Sequence, residues 1–186
     1  MFDFTKAMER LVRHIVEVCP EFAHVQPDNL IIAHIRTRSP GTHGVYASVQ
    51  PLRFEGGEPT IMKRGRTFAM PQVMHCGHEI LYIIYFALPR FINLSYEEKL
   101  TTVFHELYHI SPKFNGDIRR FKGKNFAHGH SRKVYNEKMQ TFVNNYMSKP
   151  ATDEYTEFLK MDFEKMSAEY GRIIGTKVKP PRPRLV

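Results

Sequence analysis

The sequence predicts an α+β fold in a single domain, with a small mixed or antiparallel sheet packed against helices. Three observations predict it. Apolar residues recur at helical spacing from Phe4 to Val18, at Phe4, Ala7, Met8, Leu11, Val12, Ile15 and Val16. Short β-branched and aromatic runs at Leu30–Ile35, Val45–Val49 and Glu79–Leu88 have the length and composition of strands. A second helical pattern then opens at Ser95 behind a capping signal. With 186 residues the chain suffices for one domain with a real core, and no internal repeat marks a second.

Taken in order, the first helix ends at Pro20, which cannot continue it. The strands Leu30–Ile35 and Val45–Val49 flank the turn-rich Ser39-Pro40-Gly41 and suggest an antiparallel meander, and Gly56-Gly57-Glu58-Pro59 marks a further turn. His75-Cys76-Gly77-His78 reads as a turn leading into Glu79–Leu88, the strand that precedes the capped helix. Leu100, Val103, Phe104, Leu107 and Ile110 set that helix's period, and Pro112 closes it. Val134, Tyr135, Met139, Phe142, Val143 and Tyr146 predict a long helix over Ser131–Met147, and Tyr155–Met166 predicts another with a polar face. Residues 1–172 form the expected domain. Residues 173–186, with Lys-Pro-Pro-Arg-Pro-Arg, form a basic, proline-rich arm, extended or frayed.

Composition excludes several classes. Hydrophobic residues make up 42% and charged residues 25%, the balance of a globular chain rather than a disordered or fibrous one. The longest apolar run, Ile80–Pro89, is too short to span a bilayer, and Met1-Phe2-Asp3-Phe4 lacks the basic start of a secretory signal. The expectation is a cytoplasmic protein with no membrane partner. Cys19 and Cys76 are too few for a disulfide framework, and neither lies in a CxxC pair. The formal net charge is +8, and Ser111–Lys138 alone holds eight basic residues against Asp117 and Glu137. That clustering makes the basic loop 113–124 a candidate surface for DNA or another acidic partner.

The chemistry is concentrated in His105-Glu106-Leu107-Tyr108-His109, an HExxH pattern. On a helix, histidines four apart share a face, with their Cβ atoms roughly 5 to 6 Å apart. That spacing lets two imidazoles close on one Zn²⁺, while the neighbouring carboxylate of Glu106 can act as general base toward an attacking water. Burial of Leu100, Val103 and Leu107 turns the histidines toward a different sector of the helix. The pattern points to a minimal zincin-like domain, its small sheet packed on the HExxH helix.

A catalytic zinc takes three protein ligands, so one more is required downstream. The extended pattern HExxHxxGxxH would need glycine and histidine where Pro112 and Asn115 stand, which excludes that subclass. His128, in Ala127-His128-Gly129-His130-Ser131, is the favoured candidate, because Gly129 permits close backbone approach and a helix follows. His130 and Glu137 remain alternatives. Whichever of His128 and His130 is not a ligand, and also Tyr135, are candidate hydrogen-bond donors to an oxyanion.

The stretch from Glu98 to Met139, with HELYHISPKFNGDIRRFKGKNFAHGHSRKVYNEKM, resembles the small metallopeptidases of phages and prophages. More distantly, HExxH followed by His-Gly at the head of a helix resembles the SprT-like proteases. Those resemblances imply His105, His109 and His128 as zinc ligands and Glu106 as base. Some SprT-like relatives act on proteins crosslinked to DNA, but this chain lacks the cysteines of the zinc ribbon often appended there. The expected function is a zinc-dependent metallopeptidase acting on protein or peptide. The alternatives are a zinc hydrolase of non-peptide bonds, or a nucleic-acid-binding protein with a structural metal.

Overall fold

The computed structural model describes residues 1–37, 44–121 and 132–186. Its framework is a three-stranded sheet in the order β2-β8-β3, where β2 is Leu30–Arg36, β3 is Ala47–Pro51 and β8 is Tyr82–Leu88. β8 pairs parallel with β2 and antiparallel with β3, so the sheet is mixed. The antiparallel meander expected from Leu30–Ile35 and Val45–Val49 is therefore corrected. These two strands are not neighbours, and β8, each residue 52 positions beyond its β2 partner, enters between them. All seven residues of β8 are buried, which explains its unbroken apolar run.

Alternate residues supply two cores. On one face Ile32, Tyr82, Ile84 and Phe86 meet α1 (Phe4–Val18), α2 (Tyr96–Tyr108) and α3 (Arg132–Met147). α1 contributes Phe4, Met8, Leu11 and Ile15, each fully buried, as its stripe predicts. On the opposite face Ile31, Ala33, Ile83 and Tyr85 meet Met70, Val73 and Val178. Val178 belongs to the C-terminal arm, which crosses this second face as a strap. It begins at β9 (Ile173–Ile174), parallel to β1 (Phe2–Asp3). It then accepts the His34 N–H at the Thr176 carbonyl (2.9 Å) and the Gln50 side-chain amide at the Pro181 carbonyl (2.6 Å). It ends as β10 (Arg184–Leu185), antiparallel to β5 (Arg66–Ala69).

Between β3 and β8 the chain makes two hairpins, β4 (Thr60–Lys63) with β5, and β6 (Val73–His75) with β7 (His78–Ile80). Cys76 and Gly77 form the second turn, both at positive φ (48° and 82°), so His75-Cys76-Gly77-His78 is a turn as expected. One helix differs from the sequence reading. Tyr155–Met166 is not continuous: α4 (Thr152–Thr156) gives way to a 3₁₀ turn over Glu157–Lys160, and α5 (Phe163–Tyr170) starts afresh with Asp162 accepting from the Lys165 N–H. The break is held by Lys99 of α2, whose buried ammonium donates to the Leu159 and Met161 carbonyls at 2.9 and 2.7 Å. No helix among the described residues is long and apolar enough to cross a membrane.

Candidate active site

α2 is positioned from both ends. At its start Ser95 accepts from the Glu98 N–H and the Glu98 carboxylate accepts from the Ser95 N–H, a complete capping box. Its body buries Leu100, Val103, Phe104 and Leu107 against the sheet and α3. At its exit Arg119 donates its backbone N–H to the His109 carbonyl (2.7 Å) and its side-chain Nε–H to the Tyr108 carbonyl (2.8 Å), satisfying two acceptors that a helix terminus leaves open.

This frame puts His105 and His109, both half-buried, side by side with their Nε2 atoms 2.9 Å apart. Two imidazoles bound tetrahedrally to one zinc place those atoms about 3.3 Å apart, so the pair converges as two ligands of one ion would. Tyr135 of α3 walls the pair, edge-on to His105 at 5.1 Å between ring centroids and 28° from parallel with His109 at 6.2 Å. Burial pushes its phenol above the usual range, so it stays protonated. α3 is held there by Tyr108, which packs on Tyr135 and Phe142 and accepts a hydrogen bond from the Lys138 ammonium at 2.6 Å.

Glu106, between the two histidines in sequence, is 6% exposed. Burial raises its carboxyl to about 7, against the opposing pull of one hydrogen bond, in which the Val49 N–H donates to Oε2 at 2.7 Å. The donor lies on β3, the strand nearest α2. Tyr46 and Leu52, just outside β3, bond to the chain of β8, so by antiparallel alternation Ala47 and Val49 turn their backbone groups away from it, and the Val49 amide meets the helix. Sequence reasoning missed this residue, and no side-chain signal could have revealed a backbone donor. The strand that precedes the capped helix, β8, is central in its sheet, and β3 carries the edge nearest α2.

The basic segment after α2 is wired inward. Tyr82 of β8 donates its hydroxyl to the Asp117 carbonyl (2.8 Å) and accepts the Gly116 N–H (2.9 Å). The buried Asp117 carboxylate accepts from the Gly56 and Ile118 amides and from Arg120, which also pairs with Glu55. Burial alone would raise the Asp117 pKa, and these donors more than offset it, holding the carboxyl below its usual range. Arg119 lies over the Tyr108 ring at 4.1 Å.

His128 and His130 lie outside the described residues. Glu137 is exposed on α3 with its carboxylate 4.0 Å from the Lys133 ammonium. Among the described residues no three His, Cys, Asp or Glu side chains gather as a metal set, and the turn His75–His78 forms none. The described part of the centre is thus two converging imidazoles, a buried carboxylate and a phenol, on a capped helix beside the free edge of a mixed sheet.

The chain belongs to the family described as "Putative phage metallopeptidase", whose model matches residues 3–166. No curated protein and no solved structure matches it.

Proposed function

We propose that this protein is a zinc-dependent peptidase, with His105, His109 and His128 as the metal ligands and Glu106 as general base. The observation that carries this reading is the convergence of the two imidazole nitrogens to 2.9 Å beside a buried carboxylate. Zinc held there would supply Lewis acidity toward the scissile carbonyl and lower the pKa of water toward neutrality.

The chain's own residues do the rest. Glu106, with a carboxyl raised to about 7, takes a proton from the attacking water and returns it to the leaving amine. The Val49 amide holds Oε2, so the base is oriented before substrate arrives. The outward backbone groups of Ala47 sit on the same free edge, where an extended peptide adds as a further strand by main-chain hydrogen bonds. Tyr135, kept neutral by burial, is the donor for the oxyanion that forms on the substrate.

The test is metal content together with hydrolysis of an unfolded protein substrate. The wild type is expected to carry about one zinc per chain, lost in His128→Ala and in His105→Ala. Glu106→Gln is expected to keep the metal and lose at least about a thousandfold in rate. A Glu106→Gln protein that cuts at the wild-type rate would sink the mechanism. A wild type that binds no zinc at neutral pH would sink the metal assignment.

A further inference from the structure

The three-stranded sheet β10-β5-β4 stands apart from the site and gathers charge from two distant parts of the sequence. Its hairpin supplies Lys63, Arg64 and Arg66, with no acidic residue between Thr60 and Ala69. The arm supplies Lys179, Arg182 and Arg184, with none from Ile173 to Val186. The two are joined by the pairing of Arg184 with Ala69 and Leu185 with Phe68, and by the Val186 N–H donated to the Thr67 carbonyl at 3.0 Å. None of these six cations pairs with a carboxylate among the described residues.

The register gives the sheet a patterned face. Ile61, Phe68 and Leu185 are cross-strand partners in one row, and Lys63 and Arg66 are partners in the row beside it, so all five share a face. Arg64 and Gly65, both at positive φ (52° and 71°), make the tight turn that sets Lys63 opposite Arg66. An open concavity of about 500 Å³ is lined by Lys63, Arg64, Arg66 and Phe68. Three cations around one aromatic ring suit a ligand that is anionic along its backbone and flat in its side groups.

We infer that this face binds single-stranded nucleic acid, with a base stacked on Phe68 and phosphates held by Lys63, Arg64 and Arg66. Single strands are bound without sequence preference by just this combination of a cationic groove and an aromatic platform. A bilayer or an acidic protein would use the charge and bury the ring, but only a base stacks flat on its face. The inference is independent of the peptidase reading, because these residues belong to a different sheet from the one beside α2.

Fluorescence anisotropy of a labelled oligothymidylate about twenty nucleotides long, titrated with the full chain, tests it. Binding that weakens with salt is expected. Replacing Lys63, Arg64 and Arg66 together by alanine should lower affinity more than about tenfold and reduce the salt slope by about 2. Phe68→Leu keeps the apolar row but removes the ring, and should cost about tenfold for the oligonucleotide while leaving heparin binding within about twofold. Lys63→Gln and Arg66→Gln, at exposed positions, repeat the reading should the triple variant fold poorly. The proposal is overturned if the wild type does not bind, if it binds only phosphatidylglycerol vesicles, or if Phe68→Leu binds the oligonucleotide as wild type does. Loss of binding in Lys113→Ala/Lys124→Ala, with the hairpin variants intact, overturns it too.

Discussion

Two stretches of this chain are rich in arginine and lysine, and the fold treats them oppositely. In the segment that leaves α2, Arg119 is stacked on Tyr108 and bonded to its carbonyl, and Arg120 is clamped between Asp117 and Glu55. In the hairpin and arm, Lys63, Arg64, Arg66, Lys179, Arg182 and Arg184 meet no carboxylate among the described residues. Equal charge density along the sequence thus stands for internal struts in one place and for an open cationic surface in the other. Of the described arginines of 113–121, Arg119 positions the exit of the HExxH helix and Arg120, though exposed, is paired with carboxylates. What separates the cases is whether acceptors lie within reach, which depends on residues such as Asp117 and Tyr82 brought in by tertiary pairing.

The contrast can be broken most severely at Asp117. Asp117→Ala strands the amides of Gly56 and Ile118 and removes one partner of Arg120, and is expected to cost about 2 to 4 kcal/mol in urea unfolding. A loss below about 1 kcal/mol would mean that the inward wiring is ornamental. Next in size comes Glu106 in chelator-treated protein. Its folded carboxyl is raised from 4.5 to about 7, so the folded state holds an extra proton. That contribution is complete below about pH 4.5 and is lost as pH rises through 7, so stability should fall across this window by up to about 3 kcal/mol. Glu106→Gln should flatten the profile, and a profile that it leaves unchanged would place the dependence elsewhere. Smallest is the hairpin: alanine at Lys63, Arg64 and Arg66 should change stability by no more than about 0.5 kcal/mol. A larger loss would show those side chains to be struts after all.

Much of the site was legible because its signals are local. The stripe from Phe4 to Val18, the Ser95–Glu98 cap and the HExxH spacing each lie within a few turns of chain, and each is found where the sequence puts it. The illegible parts are non-local. Nothing near Glu79–Leu88 says that it will be flanked on both sides, because its partners are Leu30–Arg36 and Ala47–Pro51. The break between α4 and α5 depends on Lys99 arriving from sixty residues away to take two carbonyls, although Asp162 as an N-cap was a readable hint. Val49 acts through a backbone amide that any residue but proline would supply, and Tyr135, a candidate donor from the sequence, meets the two histidines only through the packing of α3 on α2.

The β4–β5 hairpin is an excursion between β3 and β8, closed at its base by the Met70 N–H donated to the Pro59 carbonyl and stitched to the rest by the arm. Its outer residues carry no part of either core. A lineage could therefore rewrite that loop wholesale, lengthening it, recharging it or exchanging its aromatic, while the sheet and the HExxH helix stay as they are. Peptidases on this scaffold can then diverge in where they are retained without relearning how to cut, and grafted hairpins offer the same freedom at the bench.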